Sequence, residues 1–425
     1  MSRTSHKKTV FKNGIKYIYI PQPESLATTV LVLVSTGSEY ETKDINGISH
    51  FLEHLCFKGT KKRPSSDLIA GELDALGAEY NAFTGSEITG YYAKAANKNF
   101  EKILDVVADL YLSPIVDQKE MDKERGVIIE EINMYEDLPM EKVRENFSAL
   151  LYGDQPAGWS VAGRKDVIKN LNREDILDYR NKHYVAKKTT VVVAGGVDDP
   201  ERLIEEKFAS IGAGERIAKV PTKEEQDAPR VHIQSKETDQ THLIIGVRAF
   251  GIHDPRRHIL MVLSDILGGS MSSRLFKKVR EEMGAAYYIR SSADLGSDAG
   301  MLTISTGIDK NRVEEIIAAI LGEMRKISSE EVSEAELNKS KEHISGKLIL
   351  QLETSDEVAG YYGGEEAVSG KTHSPEEVLE NIKRVKASDI KTLAEELMRN
   401  EKLNMAVIGQ IGSEEGEGIK KIFRL

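Results

Sequence analysis

The chain has 425 residues, 40% of them hydrophobic and 30% charged; this is ordinary for a soluble globular protein, at a length that accommodates two or three domains. Its formal net charge of −11, from 58 basic and 69 acidic residues, argues against nucleic acid or a membrane surface as the main partner, and no apolar run approaches the length of a membrane span. The single cysteine, Cys56, excludes an internal disulfide and fits a reducing compartment, so a cytoplasmic setting is expected; in its apolar stretch it reads as a small core residue.

The opening residues carry basic side chains but no apolar segment behind them, so no signal peptide is expected. Residues 9–11 and 16–20 read as a strand pair turning at Asn13-Gly14, and Thr28 to Val34 as a further strand. A helix is expected from about Asn46 to Phe57, and a second from about Ser65 to Leu76 with Ser65 or Ser66 as its N-cap. Glu79–Thr84 and Ile88–Ala95 form a predicted hairpin turning at Gly85-Ser86. Helices follow near 97–112, 117–136, 140–151 and 173–183, then a buried-looking strand from Thr189 to Ala194 and a helix from Pro200 to Ile211. Residues 213–229 are polar, contain Gly and Pro and show no period, which is the composition of a linker.

The order then restarts. Strands are expected at 231–235 and 243–249, helices at 256–268 and 272–283, strands near 285–293 and 301–307, helices at 310–327, 331–352, 375–383 and 387–398, and a last strand from Leu403 to Ile408. The two halves share one succession of elements, which points to an internal duplication of units of ordinary domain size. The expected fold is α+β, with two homologous domains, 1–212 and 230–425, each a mixed, mostly antiparallel sheet packed with helices.

One motif carries chemistry. His50-Phe51-Leu52-Glu53-His54 places two imidazoles and a carboxylate at i, i+3 and i+4, one face of a helix. Two imidazoles there can bind one Zn²⁺ while the carboxylate takes a proton from water; H-x-x-E-H is the reverse of the H-E-x-x-H spacing of zinc peptidases. Ile48, Phe51, Leu52, Leu55 and Phe57 make this helix apolar and largely buried, and buried polar groups need partners, which a metal supplies. A catalytic zinc has three protein ligands. The stretch Glu124 to Asn133 holds glutamates at 124, 130 and 131, and Glu124 and Glu131 stand two turns apart on one helix face. One of them could ligate while the other orients a histidine, although a solvated acidic face gives the same spacing. The second copy of the motif helix, around His258 to Leu267, lacks H-x-x-E-H. Gly268-Gly269 is not followed by the lysine of a phosphate-binding loop.

His50 to His54, followed by Glu131 after 76 intervening residues, resembles the pitrilysin-type metallopeptidases, which include insulin-degrading enzyme, the mitochondrial processing peptidases and short bacterial relatives. The strings Gly47 to Thr60 and Glu124 to Asp137 resemble the processing-peptidase-like branch, and the likeness spans both halves. The resemblance implies that His50, His54 and Glu131 bind zinc, one ion per chain, that Glu53 is the general base, and that Glu124 is the outer carboxylate, leaving Glu130 an ordinary helix residue.

Further sites follow from the same likeness. Asn81, Ala82, Phe83 and Thr84 are similar to the family's edge strand, which pairs with substrate backbone. Phe57 is similar to the residue lining the pocket beyond the scissile bond, a position that plain core would also explain. Glu141 and Glu145 fall where processing peptidases hold an acidic pair for a substrate arginine, but Lys142 and Arg144 lie beside them and a solvated charged helix is the simpler reading. In the second half, Arg280 and Tyr287 resemble the Arg/Tyr pair that the family brings to the zinc; Tyr288 is adjacent, and strand period lets only one of the two tyrosines face a given side. The implied function is zinc-dependent endopeptidase action on unfolded peptides in a chamber closed by two chains, most simply a homodimer, or by this chain and a sister subunit. A non-catalytic partner subunit of the same family is the alternative.

Overall fold

The computed structural model describes residues 6–425; residues 1–5, the start of the segment considered as a leader, lie outside the described residues. The first sheet has six strands, β1 (Lys7–Val10), β2 (Lys16–Pro21), β3 (Ala27–Val34), β4 (Glu79–Thr84), β5 (Thr89–Ala96) and β6 (Thr189–Gly195), in the order β1-β2-β6-β3-β5-β4. The second has β7 (Arg230–Ser235), β8 (Thr241–Phe250), β9 (Ala286–Leu295), β10 (Ala299–Ile308) and β11 (Leu403–Gly409), in the order β7-β11-β8-β10-β9. Each sheet has one parallel pair, β2 with β6 and β7 with β11, and is otherwise antiparallel. From that pair onward the two orders match strand for strand, as a duplication requires. Among the described residues no helix is long and apolar enough to cross a membrane.

β3 is buried along nearly its whole length, because its sheet is covered on both faces. Tyr91, paired with Val32, meets Tyr111 of the helix Phe100–Leu112 on one face, ring centroids 6.0 Å apart. On the other face Ile18, Ile20, Leu31, Leu33, Val192 and Ala194 pack against Val358, Ala359 and Tyr362. Those three residues belong to the helix Ser355–Ser369, which has no counterpart in the predicted elements. Its three glycines, 360, 363 and 364, erase the apolar period. One of them is required by packing: a Cβ on Gly363 would lie 2.8 Å from Leu33 Cδ1 and 2.9 Å from Val192 Cγ2.

The second sheet is covered in the same manner. Leu243, Ile245 and Val247 pack with the helices Arg257–Gly268, Val313–Ser329 and Ala387–Leu397. Val143, Phe147 and Leu151 of the helix Pro139–Tyr152 cover Ile244, Ala406 and Ile408 from the other side. The two compact units are therefore not contiguous in sequence. One comprises residues up to Ile132, Trp159–Val220 and Ile349–Ser374; the other comprises Asn133–Gly158, Pro221–Leu348 and Pro375–Leu425. The sequence reading put 140–151 in the first domain and all of 230–425 in the second. Each sheet instead takes a covering helix from the other half, an exchange that local periodicity cannot reveal.

The remaining differences are local. The helix expected at 200–211 is Glu201–Lys207, and two short helices, Lys165–Asn170 and Ser413–Ile422, were not anticipated. The segment expected to be an α-helix at 272–283 is a π-helical stretch, Phe276–Glu282, with the Met283 N–H donating to the Lys278 carbonyl five residues back at 3.2 Å.

Gly363→Val is expected to destabilise the first unit by about 1–3 kcal/mol through overpacking. Gly364→Ala, with nothing within 4 Å of the added carbon, should be neutral or stabilising by up to about 1 kcal/mol. Urea unfolding of the two variants checks this, and equal midpoints would refute the close approach at Gly363.

Candidate metal centre

The motif helix is Ile48–Cys56. Ile48, Ser49, Phe51, Leu52, Leu55 and Cys56 are buried in the first unit, and His50, Glu53 and His54 are left on the remaining face, half-buried. The helix Gln118–Asp137 presents a buried stripe of Met121, Glu124, Ile128 and Ile132. Glu124 and Glu131, seven residues apart, both reach the histidines from that helix, whereas Glu130 is exposed. Glu130 is an ordinary helix residue.

Three donor atoms converge. His50 Nε2 and His54 Nε2 are 3.2 Å apart, and Glu131 Oε2 lies 3.6 Å from the first and 3.5 Å from the second. No other group of at least three His, Cys, Asp or Glu residues within the first unit's described residues brings its ligand atoms within 4.8 Å of one another. Three ligands of a tetrahedral zinc, with arms of about 2.0–2.1 Å, stand about 3.3 Å from each other. The donor set also suits zinc in kind, two imidazoles and one carboxylate, as at thermolysin-type centres.

The surroundings fix the orientation of these groups. His54 Nδ1 is 3.0 Å from Glu124 Oε1, and the other oxygen of that carboxylate, Oε2, pairs with Lys58 Nζ at 2.6 Å. This is the carboxylate–histidine relay that sets the tautomer of a ligating imidazole. Lys58 was not among the residues named from sequence; its position four residues beyond His54 was the available signal. Burial, and then the neighbouring His54 imidazole, push His50 down to about 4, so its ring is neutral at pH 7 and its nitrogen lone pair is available. For His54 burial again opposes charge, but the Glu124 hydrogen bond and the charges of Glu131 and Glu53 prevail and raise it. Burial is also the largest influence on Glu124, which the His54 and Lys58 hydrogen bonds nevertheless hold below the usual carboxylate range.

Glu53 lies on the same helix face, and burial raises its pKa, opposed by a hydrogen bond from the Thr84 hydroxyl to Oε2 at 2.5 Å. A carboxylate poised upward is suited to proton transfer. Thr84 ends β4, one of the two edge strands of the first sheet. The strand register puts Ala82 and Thr84 on the Tyr91 side, facing the motif helix, and Asn81 and Phe83 on the other. The Phe83 ring lies over Gly90, where a Cβ would come within 2.4 Å of it, and the Asn81 side chain accepts the Ala82 N–H at 2.9 Å. Phe57, at the C-terminal end of the motif helix, is half-buried.

The other candidates lie in the second unit. Glu141 is paired with Arg144 at 3.1 Å and Glu145 with Lys142 at 3.0 Å, each within one helix turn, which is how a solvated charged face is built. The Arg280 guanidinium sits over the Phe276 ring, 4.9 Å from its centroid, on the π-helical stretch. The register of β9 against β10 pairs Tyr288 with Gly307 and Ala286 with Ile308, so Tyr287 is the extra residue of a β-bulge, and its side chain is 67% exposed. Tyr288 points elsewhere, its hydroxyl 3.1 Å from His242 Nδ1. The two neighbouring tyrosines are thus separated by the bulge, a device that re-aims a side chain.

Comparison with known proteins identifies the family. Residues 17–165 match the family model described as insulinase (peptidase family M16), and residues 170–344 match the one described as peptidase M16 inactive domain. The chain is 33% identical over 412 residues to a Bacillus subtilis protein described as uncharacterized zinc protease YmxG, spanning 96% of this chain and 99% of the relative. It is 31% identical over 413 residues to an uncharacterized zinc protease of Streptomyces coelicolor, spanning 95% and 90%. The crystal structure of a protease from Helicobacter pylori superposes with a TM-score of 0.89 at 25% identity, covering 95% of this chain and 99% of that one. A peptidase M16 inactive domain from Pseudomonas fluorescens has the same fold, with a TM-score of 0.88 at 15% identity over 96% and 98% of the two chains.

Glu124→Gln is expected to weaken zinc binding about 10–100-fold, the usual effect of losing such an orienting partner, while Glu130→Gln leaves it unchanged. Chelator competition on the purified variants measures both, and equal losses would refute the distinction between the two glutamates.

Proposed function

The chain belongs to peptidase family M16, and we propose that it is a zinc-dependent endopeptidase acting on unfolded peptides or short protein segments. The observation that supports this most directly is the convergence of His50, His54 and Glu131 with Glu53 on the same helix face. His50, His54 and Glu131 would hold one zinc per chain, which when bound supplies a Lewis acid that acidifies water and polarises the scissile carbonyl. Glu53 takes the proton of the attacking water and returns it to the leaving amine. Glu124 holds His54 in the tautomer this requires, and the Thr84 hydroxyl restrains the Glu53 carboxylate. The free edge of β4 offers backbone donors and acceptors to an extended peptide, a mode that reads length and extension more than sequence. The oxyanion roles of Tyr287 and Arg280, which follow from the family likeness, belong to the same proposal, as does a chamber closed by two copies of the chain or by a sister subunit, working in the cytoplasm.

A non-catalytic partner subunit is the competing reading, since the second half matches a model described as inactive. The chain keeps both histidines, the third ligand and the base in its first half, which favours catalysis. Glu53→Gln discriminates the two. It is expected to bind zinc as the wild type does and to lose cleavage of an unfolded reporter peptide by a factor of about 10² to 10⁴. Wild-type protein that holds zinc and cleaves no peptide would instead mark the chain as a partner subunit.

A further inference from the structure

The motif helix has no capping side chain of its own. The residue at its N-terminal end is Gly47, with φ +97°. A Cβ there would lie 2.8 Å from the Ala162 carbonyl oxygen, Gly163 Cα and Ile168 Cδ1, so the usual serine or aspartate cap cannot be placed. Four N–H groups at a helix N-terminus nevertheless need acceptors. Glu41, 2% exposed in the loop after β3, accepts two of them from outside the helix. Its Oε2 accepts the Gly47 N–H at 2.7 Å and the Asn46 side-chain amide at 3.0 Å, and its Oε1 accepts the Ser49 N–H at 2.9 Å. The Ser49 hydroxyl is 2.7 Å from the Tyr179 hydroxyl, which also lies 3.1 Å from Thr36 Oγ1. Backbone and side chain of the first turn are thus both tied, and His50 is the next residue.

A helix of nine residues has little stability of its own, and its rotation about its axis is set by what holds its ends. At the side-chain radius of a helix, about 5–6 Å, a rotation of 10° moves an imidazole nitrogen by roughly 1 Å. A site whose donors must meet within about 0.5 Å does not tolerate that. The C-terminal end is held through His54, Glu124 and Lys58. We infer that Glu41, with Tyr179 behind Ser49, is the positioning residue at the other end: it fixes the angular setting of His50, Glu53 and His54 and so prepares the donor triangle for the metal. This rests on reading those histidines and Glu131 as zinc ligands.

The test uses the full chain with Glu41→Gln, which keeps the shape but leaves one acceptor oxygen in place of two, and with Tyr179→Phe, which removes only the hydroxyl. Zinc affinity is measured by chelator competition, the visible spectrum is recorded with Co²⁺ in place of zinc, and kcat and KM are taken on an unfolded peptide. Expected for Glu41→Gln are a 10–100-fold loss of zinc affinity, an altered Co²⁺ band envelope, and a fall in kcat with little change in KM; Tyr179→Phe should show the same pattern to a smaller extent. Folded variants with a lower melting temperature but wild-type zinc affinity and Co²⁺ spectrum would overturn the inference. If Glu41→Gln does not fold, the affinity and spectrum of Tyr179→Phe decide the matter alone. Wild-type protein that binds zinc but cleaves nothing refutes the proposed activity and leaves the positioning test intact, whereas wild-type protein that binds no zinc overturns both.

Discussion

Holding two imidazole nitrogens and a carboxylate oxygen within 3.6 Å of one another is the constraint on which the first unit is organised. Such atoms crowd their lone pairs together and lose much of their water, an arrangement that becomes favourable when a cation occupies the middle. The chain meets the requirement with two helices of opposite character. The motif helix is short and buried on all but the one face that carries the polar residues, while the helix Gln118–Asp137 is long and mostly polar, with Glu124 in its single buried stripe and Glu131 half-buried beside it. The short helix places the histidines a turn apart, and the long one places Glu124 and Glu131 two turns apart. Neither helix could do both, because a single face offers only every third or fourth residue.

The duplication sets this site in context. Both sheets have the same strand succession from the parallel pair outward, and both are sealed on one face by a helix taken from the other half of the sequence. In the first copy the first helix carries His50, Glu53 and His54. In the second copy the corresponding helix, Arg257–Gly268, is a core helix with buried Leu260, Val262, Leu263, Ile266 and Leu267. The irregularities of the second unit fall on the residues that the family likeness marks as functional: Arg280 stands on a π-helical stretch and Tyr287 on a β-bulge. Both features cost regular hydrogen bonding, and both are the kind of distortion found where a side chain must be aimed.

Much of this was legible in the chain itself, for physical reasons that can be named. The H-x-x-E-H helix, the hairpin of β4 and β5 and the strand alternation followed from period and turn chemistry, which are local. For the third donor, spacing narrowed the choice to Glu124 or Glu131 on one helix face without saying which oxygen meets the histidines, and it was the family likeness that singled out Glu131. The helix Ser355–Ser369 was illegible because its glycines serve contact with a sheet far away in sequence, and Gly363 reads as a breaker until Leu33 and Val192 are seen against it. The exchange of covering helices and the capping of Gly47 by Glu41 are tertiary facts with no local signature. Thr84 was named for its strand, and its bond to Glu53 became visible only once β4 was seen beside the motif helix.

The central claim is that His50, His54 and Glu131 form a zinc shell that leaves a position for water. X-ray absorption at the zinc edge of the loaded wild-type chain tests it most directly. The account predicts one zinc per chain with four nitrogen or oxygen neighbours at about 2.0–2.1 Å, two of them showing the outer-shell scattering of imidazole, and no sulfur at about 2.3 Å. Six light neighbours without imidazole scattering, a sulfur contribution from Cys56, or a chain that does not retain zinc would contradict it.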